Sequence, residues 1–245
     1  MSGEQRLEEQ VLAQEAKKRV SEQLDTAEKI DVDVQTDLFK LIQGQADGVH
    51  FSGQGMVIRN IRVQEIILET NNISVNPLSA LFGEIELNEP VYATARIVLT
   101  EADINNALMS NYIRNNMQSW DLKVDGGTVS LTLKEIQIQL PEKDKIGFAG
   151  KVMIQENSNL YPLGFTALLS PRKRDKPILL EKFNCIEGNG ISFHVVLALL
   201  QKVQEIINLP YLEFDDMAIR IKELEVEKGK ISLLIDVRVN QIPPT

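Results

Sequence analysis

The stretch Val129-Ser-Leu-Thr-Leu-Lys-Glu-Ile-Gln-Ile138 decides the fold class. Val129, Leu131 and Leu133 alternate with polar residues, the period of a strand with one apolar face. At Lys134-Glu135 two polar residues fall together, and Ile136 and Ile138 then continue on the opposite parity. Two other stretches behave alike. Ile61-Arg-Val-Gln-Glu-Ile-Ile-Leu68 switches at Gln64-Glu65, and Ile219-Arg-Ile-Lys-Glu-Leu-Glu-Val226 at Lys222-Glu223. A slip of one residue turns every following side chain to the other face of the sheet. Each strand therefore carries a β-bulge at the polar pair, which restores the face, or its buried face changes sides. Chance recurrence of short β-rich words is the remaining reading. Three bulges would bend and twist a sheet strongly. The first and last stretches also share Ile-Arg-(Val/Ile)-x-Glu, a hint of internal duplication.

Outward from these stretches, period two continues. Ile85, Leu87, Val91, Ala93, Ala95, Ile97 and Leu99 share one parity, as do Ile231, Leu233, Ile235, Val237 and Val239. Ile146, Phe148, Val152 and Ile154 make a further case. Unbroken, Ile85 to Leu99 would span about 50 Å at roughly 3.3 Å per residue. Long strands with one wet face predict antiparallel pairing. Helices are expected at Glu4–Ile30, Asn76–Phe82, Thr100–Met117 and Ser192–Ile207. In the first, Leu7, Val11, Val20, Leu24 and Ala27 are read as one face. Asn76 with Pro77 starts the second, and Thr100 with Asp103 is a capping-box variant that opens the third. In the fourth, Phe193, Val196, Leu197, Leu200, Val203 and Ile207 form a stripe that Val195, Leu199 and Ile206 widen. The expected organisation is an N-terminal amphipathic helix over residues 1–30 and a single domain over 31–245, with a weak seam near Pro141.

Composition excludes several function classes. Lys plus Arg number 26 and Asp plus Glu 35, a formal charge of −9, so the chain has no general attraction for nucleic acid. One cysteine, Cys185, forbids an internal disulfide, and with two histidines, His50 and His194, it leaves no Cys/His zinc set. No stretch approaches the roughly 18 apolar residues of a membrane span. No apolar signal region opens the sequence, and a cytoplasmic location, peripheral to membranes, is expected.

Catalytic constellations are not evident, and the chain is read as a non-enzyme. Cys185 lies in a strand pattern and is expected to be buried, and His194 starts an apolar helix. Gly53-Gln-Gly55 lacks the third glycine of a phosphate loop. The carboxylate pairs Asp31/Asp33, Glu101/Asp103 and Asp215/Asp216 read as a strand start, a first helical turn and a turn. The concentrated basic run is Pro171 to Pro177, where Arg172, Lys173, Arg174 and Lys176 outweigh Asp175. It reads as a solvated hairpin loop or as a dock for anionic headgroups, at about 1 kcal/mol per basic residue.

Several motifs resemble a known family. They are Asp31-Val-Asp-Val-Gln-Thr-Asp37, Leu41-Ile-Gln-Gly-Gln45, Gly53-Gln-Gly55, Ile73-Ser-Val-Asn-Pro-Leu78, Phe82-Gly-Glu-Ile-Glu-Leu87, Leu99-Thr-Glu-Ala-Asp-Ile-Asn105 and Phe214-Asp-Asp-Met-Ala-Ile-Arg220. Together they resemble the LmeA-like phospholipid-binding proteins of bacteria, most of all their cyanobacterial versions, which look like relatives of tubular lipid-binding (TULIP) domains. The resemblance implies an α+β, mainly β fold: a long curved antiparallel sheet wrapped around amphipathic helices, with an apolar cavity for acyl chains. It implies binding and transfer of glycerolipids, phospholipid or glycolipid, with transient contact to a membrane surface. No cofactor is expected beyond the bound lipid. The candidate cavity residues are Leu81, Phe82, Ile104, Leu108, Trp120, Phe193, Leu197, Leu200 and Val203. The alternative is a scaffold that binds a partner protein, or a second copy of itself, through sheet edges or the first helix.

Overall fold

The computed structural model describes residues 7–58, 60–81, 86–110, 119–156, 159–171, 178–188, 190–207, 212–214 and 217–241. The elements are α1 (Leu7–Glu22), β1 (Lys29–Gln35), α2 (Leu38–Ile42), β2 (Gln45–Ile58), β3 (Ile61–Ser74), α3 (Pro77–Leu81), β4 (Val91–Thr100) and α4 (Glu101–Met109). There follow β5 (Trp120–Val124), β6 (Gly127–Gln139), β7 (Ile146–Glu156), β8 (Asn159–Ser170) and β9 (Leu179–Glu187). The chain ends with α5 (Phe193–Ile207), β10 (Leu212–Phe214), β11 (Met217–Glu227) and β12 (Lys230–Val239). The class is α+β, mainly β, as expected. The strands divide between two sheets, ordered β1-β2-β3-β4-β12-β11-β10 and β5-β6-β7-β8-β9. Every ladder of described register is antiparallel.

The chain forms two compact units. Unit 1 comprises residues 1–99, 210–223 and 232–245, and unit 2 comprises residues 100–209 and 224–231. In unit 1, α1 packs Leu12, Ala13, Ala16 and Val20 over Ile30, Val32 and Val34 of β1. A second core joins Ala93 and Ala95 of β4 to Ile235 and Val237 of β12. In unit 2, the core is Leu122, Val129, Leu131, Ile154, Leu163 and Val195.

Two helical expectations are corrected. The first helix ends at Glu22, and Ile30 is a buried residue of β1. Leu7 and Val11 are exposed, while Val20 and Leu24 pack inward. Val11 and Val20 are nine residues apart, which is two and a half turns at about 3.6 residues per turn, so they lie on opposite faces. The run Ile85–Leu99 is also broken. β4 starts at Val91, after Pro90, and Leu87 makes only an isolated bridge to Val75. A proline cannot donate to a ladder, which is why it stands before the strand rather than inside it.

The three parity switches have different outcomes. In β6 the register against β7 shifts between Leu133 and Glu135, so Lys134 is the extra residue of a bulge. The bulge keeps Val129 and Leu131 on the same buried face as the partly buried Ile136 and Ile138. Gly150 makes this packing possible. A Cβ there would meet the Glu135 carbonyl oxygen at 2.5 Å and the Phe165 ring at 3.3 Å. In β3 the ladder to β2 runs unbroken, with Met56 opposite Val63 and Gln54 opposite Glu65. Ile61 to Leu68 is instead half-buried on both faces, the alternative to a bulge. In β11 the pair Lys222-Glu223 stands where the chain passes from unit 1 to unit 2.

Candidate functional site

The six candidate cavity residues with described side chains fall on α4, α5 and the start of β5, all in unit 2. The Ser192 hydroxyl accepts from the Val195 amide at 3.3 Å and starts α5. Val195, with the half-buried Ala198 and Leu199, faces the core residues of β5 to β8. Val195 and Leu199 are read from sequence as widening the stripe, together with Ile206, whose side chain lies outside the described residues; Val196 of the stripe itself is also buried. Phe193 (70% exposed) and Leu197 (40%) lie outside that contact, with Leu200 half-buried. The sheet side of α5 is filled by the protein's own side chains. Periodicity marks an apolar helix but cannot choose between two adjacent apolar stripes. Trp120 is half-buried and sits opposite Leu131, a core residue.

On α4, Ile104 and Leu108 are half-buried. The helix is held by the cap read from sequence and by two side-chain contacts to β6 and its end that the sequence reading did not use. Thr100 and Asp103 form a reciprocal capping box. The Glu101 carboxylate accepts from the Leu140 amide at 2.6 Å. The Asn105 side-chain amide donates to the Ile138 carbonyl at 2.8 Å, and its oxygen accepts from the Ile138 amide at 2.8 Å. It thus completes the β6 edge as a neighbouring strand would. These contacts also show that Glu101 and Asp103 are structural carboxylates.

The other candidates lie elsewhere. Leu81 ends α3 in unit 1, and its side chain lies outside the described residues. So do Phe82, the Val203 side chain, Asp215, Asp216, and the basic residues Arg172, Lys173, Arg174 and Lys176. An open groove of about 440 Å³ runs in unit 1 where α1 gives way to β1. It is lined by Lys17, Asp25, Glu28 and Lys29 beside Leu24, Ala27 and Ile30. That mixed lining is not the greasy wall expected for acyl chains.

The polar clusters are surface staples. Cys185 is exposed, against the expectation of a buried thiol, because β9 has its outer faces wet. His194 stands 3.1 Å from Asp125, and His50 3.4 Å from Glu69. Hydrogen bonds from Lys145 and Ser170 hold the Glu181 carboxyl below the usual carboxylate range. Hydrogen bonds from Ser79 and Asn76 do the same for Glu86. A hydrogen bond to Glu187 raises Lys151, and burial, then the Glu156 charge, raises Tyr161. No helix among the described residues is long and apolar enough to cross a membrane.

The comparisons with curated proteins and with solved structures found no match. A family model described as LmeA-like phospholipid-binding matches residues 3–235, nearly the whole chain. The motifs spread from Asp31 to Arg220 agree with that span, and the chain belongs to the LmeA-like phospholipid-binding family.

Proposed function

We propose that the protein binds glycerolipids without catalysis and hands them between membrane surfaces. The observation that carries this reading is α5. After its inner face has filled the unit 2 core, it still holds Phe193 and Leu197 in water. Exposed large apolar groups on a well-packed element mark an interaction surface. In a family of phospholipid-binding proteins, the natural occupant is an acyl chain. Each CH₂ removed from water contributes about 0.8 kcal/mol, so binding needs no polar constellation. In this reading Phe193, Leu197 and Leu200 form the acyl contact, with Trp120, Ile104 and Leu108 as further apolar wall in the same unit.

The test is extraction of purified full-length protein with organic solvent, followed by mass spectrometry, together with exchange of a fluorescent phospholipid. Stoichiometric glycerolipid in the wild type, lost in Phe193→Ser/Leu197→Asp at an unchanged melting temperature, supports the reading. Absence of both lipid and exchange overturns it.

One observation favours a scaffold as the second reading. Leu7 (78% exposed) and Val11 (65%) form an outward apolar pair on α1. A complex that Leu7→Glu/Val11→Glu abolishes, with lipid uptake intact, would support that reading.

A further inference from the structure

A second apolar surface stands at one end of unit 1. The β1–β2 connection carries α2, Leu38-Phe-Lys-Leu-Ile42, and none of its residues is buried. Leu38 is 60% exposed, Phe39 76% and Ile42 70%, and Leu78 of α3 is 68% exposed. Five-residue helices are marginal in water, so this one needs a reason to hold its shape. The Asp37 carboxylate accepts from the Phe39 and Lys40 amides at 2.9 Å each. Buried Thr36 donates to the Gln45 carbonyl at 2.9 Å and closes the base of the turn. Gly44, at φ +70°, lets α2 lie beside the start of α3; a Cβ there would meet the Val75 carbonyl oxygen at 2.3 Å and Pro77 at 3.2 Å. The Val75 amide also donates to the Gly44 carbonyl at 2.8 Å. These bonds hold large apolar side chains in solvent on two adjoining turns.

We propose that this end of unit 1 inserts Leu38, Phe39, Ile42 and Leu78 into the interfacial layer of a phospholipid bilayer. The choice of a bilayer over a protein rests on the lipid-binding reading above, and two features on the tip itself favour it. First, the charge is spent locally. The Lys40 ammonium lies 2.5 Å from Asp47 and 3.9 Å from Asp37, so among the described residues of the tip the cation is already paired, and entry is by apolar burial. Second, the apolar side chains are flanked by polar ones: Asp37, Gln43 and Asp47 at one turn, Asn76, Ser79 and Glu86 at the other. Exposed apolar groups flanked by polar ones suit a bilayer interface, where both find partners. This mode differs from the basic run Arg172 to Lys176, whose attraction would require anionic lipid and fade with salt.

The experiment is co-sedimentation of the full chain with vesicles of phosphatidylcholine alone and of phosphatidylcholine with phosphatidylglycerol, each at low and high salt. Phe39→Ser/Ile42→Ser is expected to lower partitioning by about tenfold or more on both vesicle types. Melting temperature and extracted lipid should not change, because α2 has no buried residue. Phe39→Trp is expected to keep binding, and its emission should shift blue on vesicles above the signal of Trp120. Unchanged partitioning of the double variant overturns the proposal, as does binding that needs phosphatidylglycerol and vanishes at high salt. Wild type that leaves both vesicle types unbound overturns it in favour of a protein occupant. Retained lipid load with lost docking separates this surface from the α5 contact. Docking without any lipid load overturns the α5 reading and leaves this one standing.

Discussion

Unit 1 and unit 2 each cover a sheet with one long helix, and the two covers differ in density. In the core with α5 the residues Ile154, Leu163, Leu122, Val129 and Val195 are 0–2% exposed, and Leu131 is 6%. Under α1 the corresponding Ile30, Val32, Val34 and Ala13 are 5–9% exposed. The difference comes from what each helix brings. α5 reads Phe-His-Val-Val-Leu-Ala-Leu-Leu and presents branched side chains, whereas the buried residue of α1 is an alanine. An alanine displaces little water, so its sheet keeps a thin lid with an open groove at one end. A helix of ordinary length does not by itself make a dense core; its apolar volume does.

The largest expected effect tests the dense side. Deleting Lys134 removes the bulge and moves Ile136, Ile138 and Leu140 to the wet face. We expect a loss of more than about 4 kcal/mol, read as a collapsed chemical-denaturation midpoint. Lys134→Ala, which keeps the extra residue, should change stability by less than about 0.5 kcal/mol. If the deletion is tolerated, the bulge does not set the unit 2 face.

Matched truncations compare the two covers directly. Ile154→Ala should cost about 3–4 kcal/mol, and Val32→Ala about 1–2 kcal/mol, in equilibrium unfolding. After allowance for the one extra CH₂, about 0.8 kcal/mol, an equal penalty would break the contrast in packing.

Asn105→Ala should cost about 1–3 kcal/mol, since it strands both backbone groups of Ile138. Asn105→Asp keeps the acceptor but not the donor, and an intermediate loss would sharpen the assignment.

The smallest effect is a pH dependence in unit 2. The Glu181 carboxyl is held below its ordinary value of 4.5 by Lys145 and Ser170. A depressed folded value means the charged form is favoured in the fold. That contribution is present above the ordinary value and is lost as pH falls through the folded one. Denaturation midpoints followed downward from neutral pH should fall less steeply for Glu181→Gln than for the wild type. Identical slopes would remove this carboxylate from the acid response.

Much of the fold could be read before any coordinates. Alternation in Val91 to Leu99 and in Ile231 to Val239 marks β4 and β12, because only a half-buried strand puts every second side chain in one core. The Asn76-Pro77 start and the Thr100-Asp103 box mark α3 and α4, because caps act within four residues. The candidate surface was less legible. Phe193 and Leu197 stand on an apolar helix, but which stripe meets the sheet depends on Val152 and Leu163, 30 or more residues away in sequence. Leu38, Phe39 and Ile42 read as ordinary apolar residues until Gly44 and Val75 place them exposed on a turn.

Residue order alone determined the strand-rich class, the parity switches and the family, since these depend on neighbours along the chain and on motif spacing. The outcome of each switch was decided in three dimensions. β6 bulges where β7 offers Gly150, which has no side chain to block the Glu135 carbonyl. β3 stays regular against Gly53 and Gly55 of β2, where no side chain demands a constant face. The same local pattern therefore folds two ways, because β6 has one buried face to keep constant whereas β3 is half-buried on both faces.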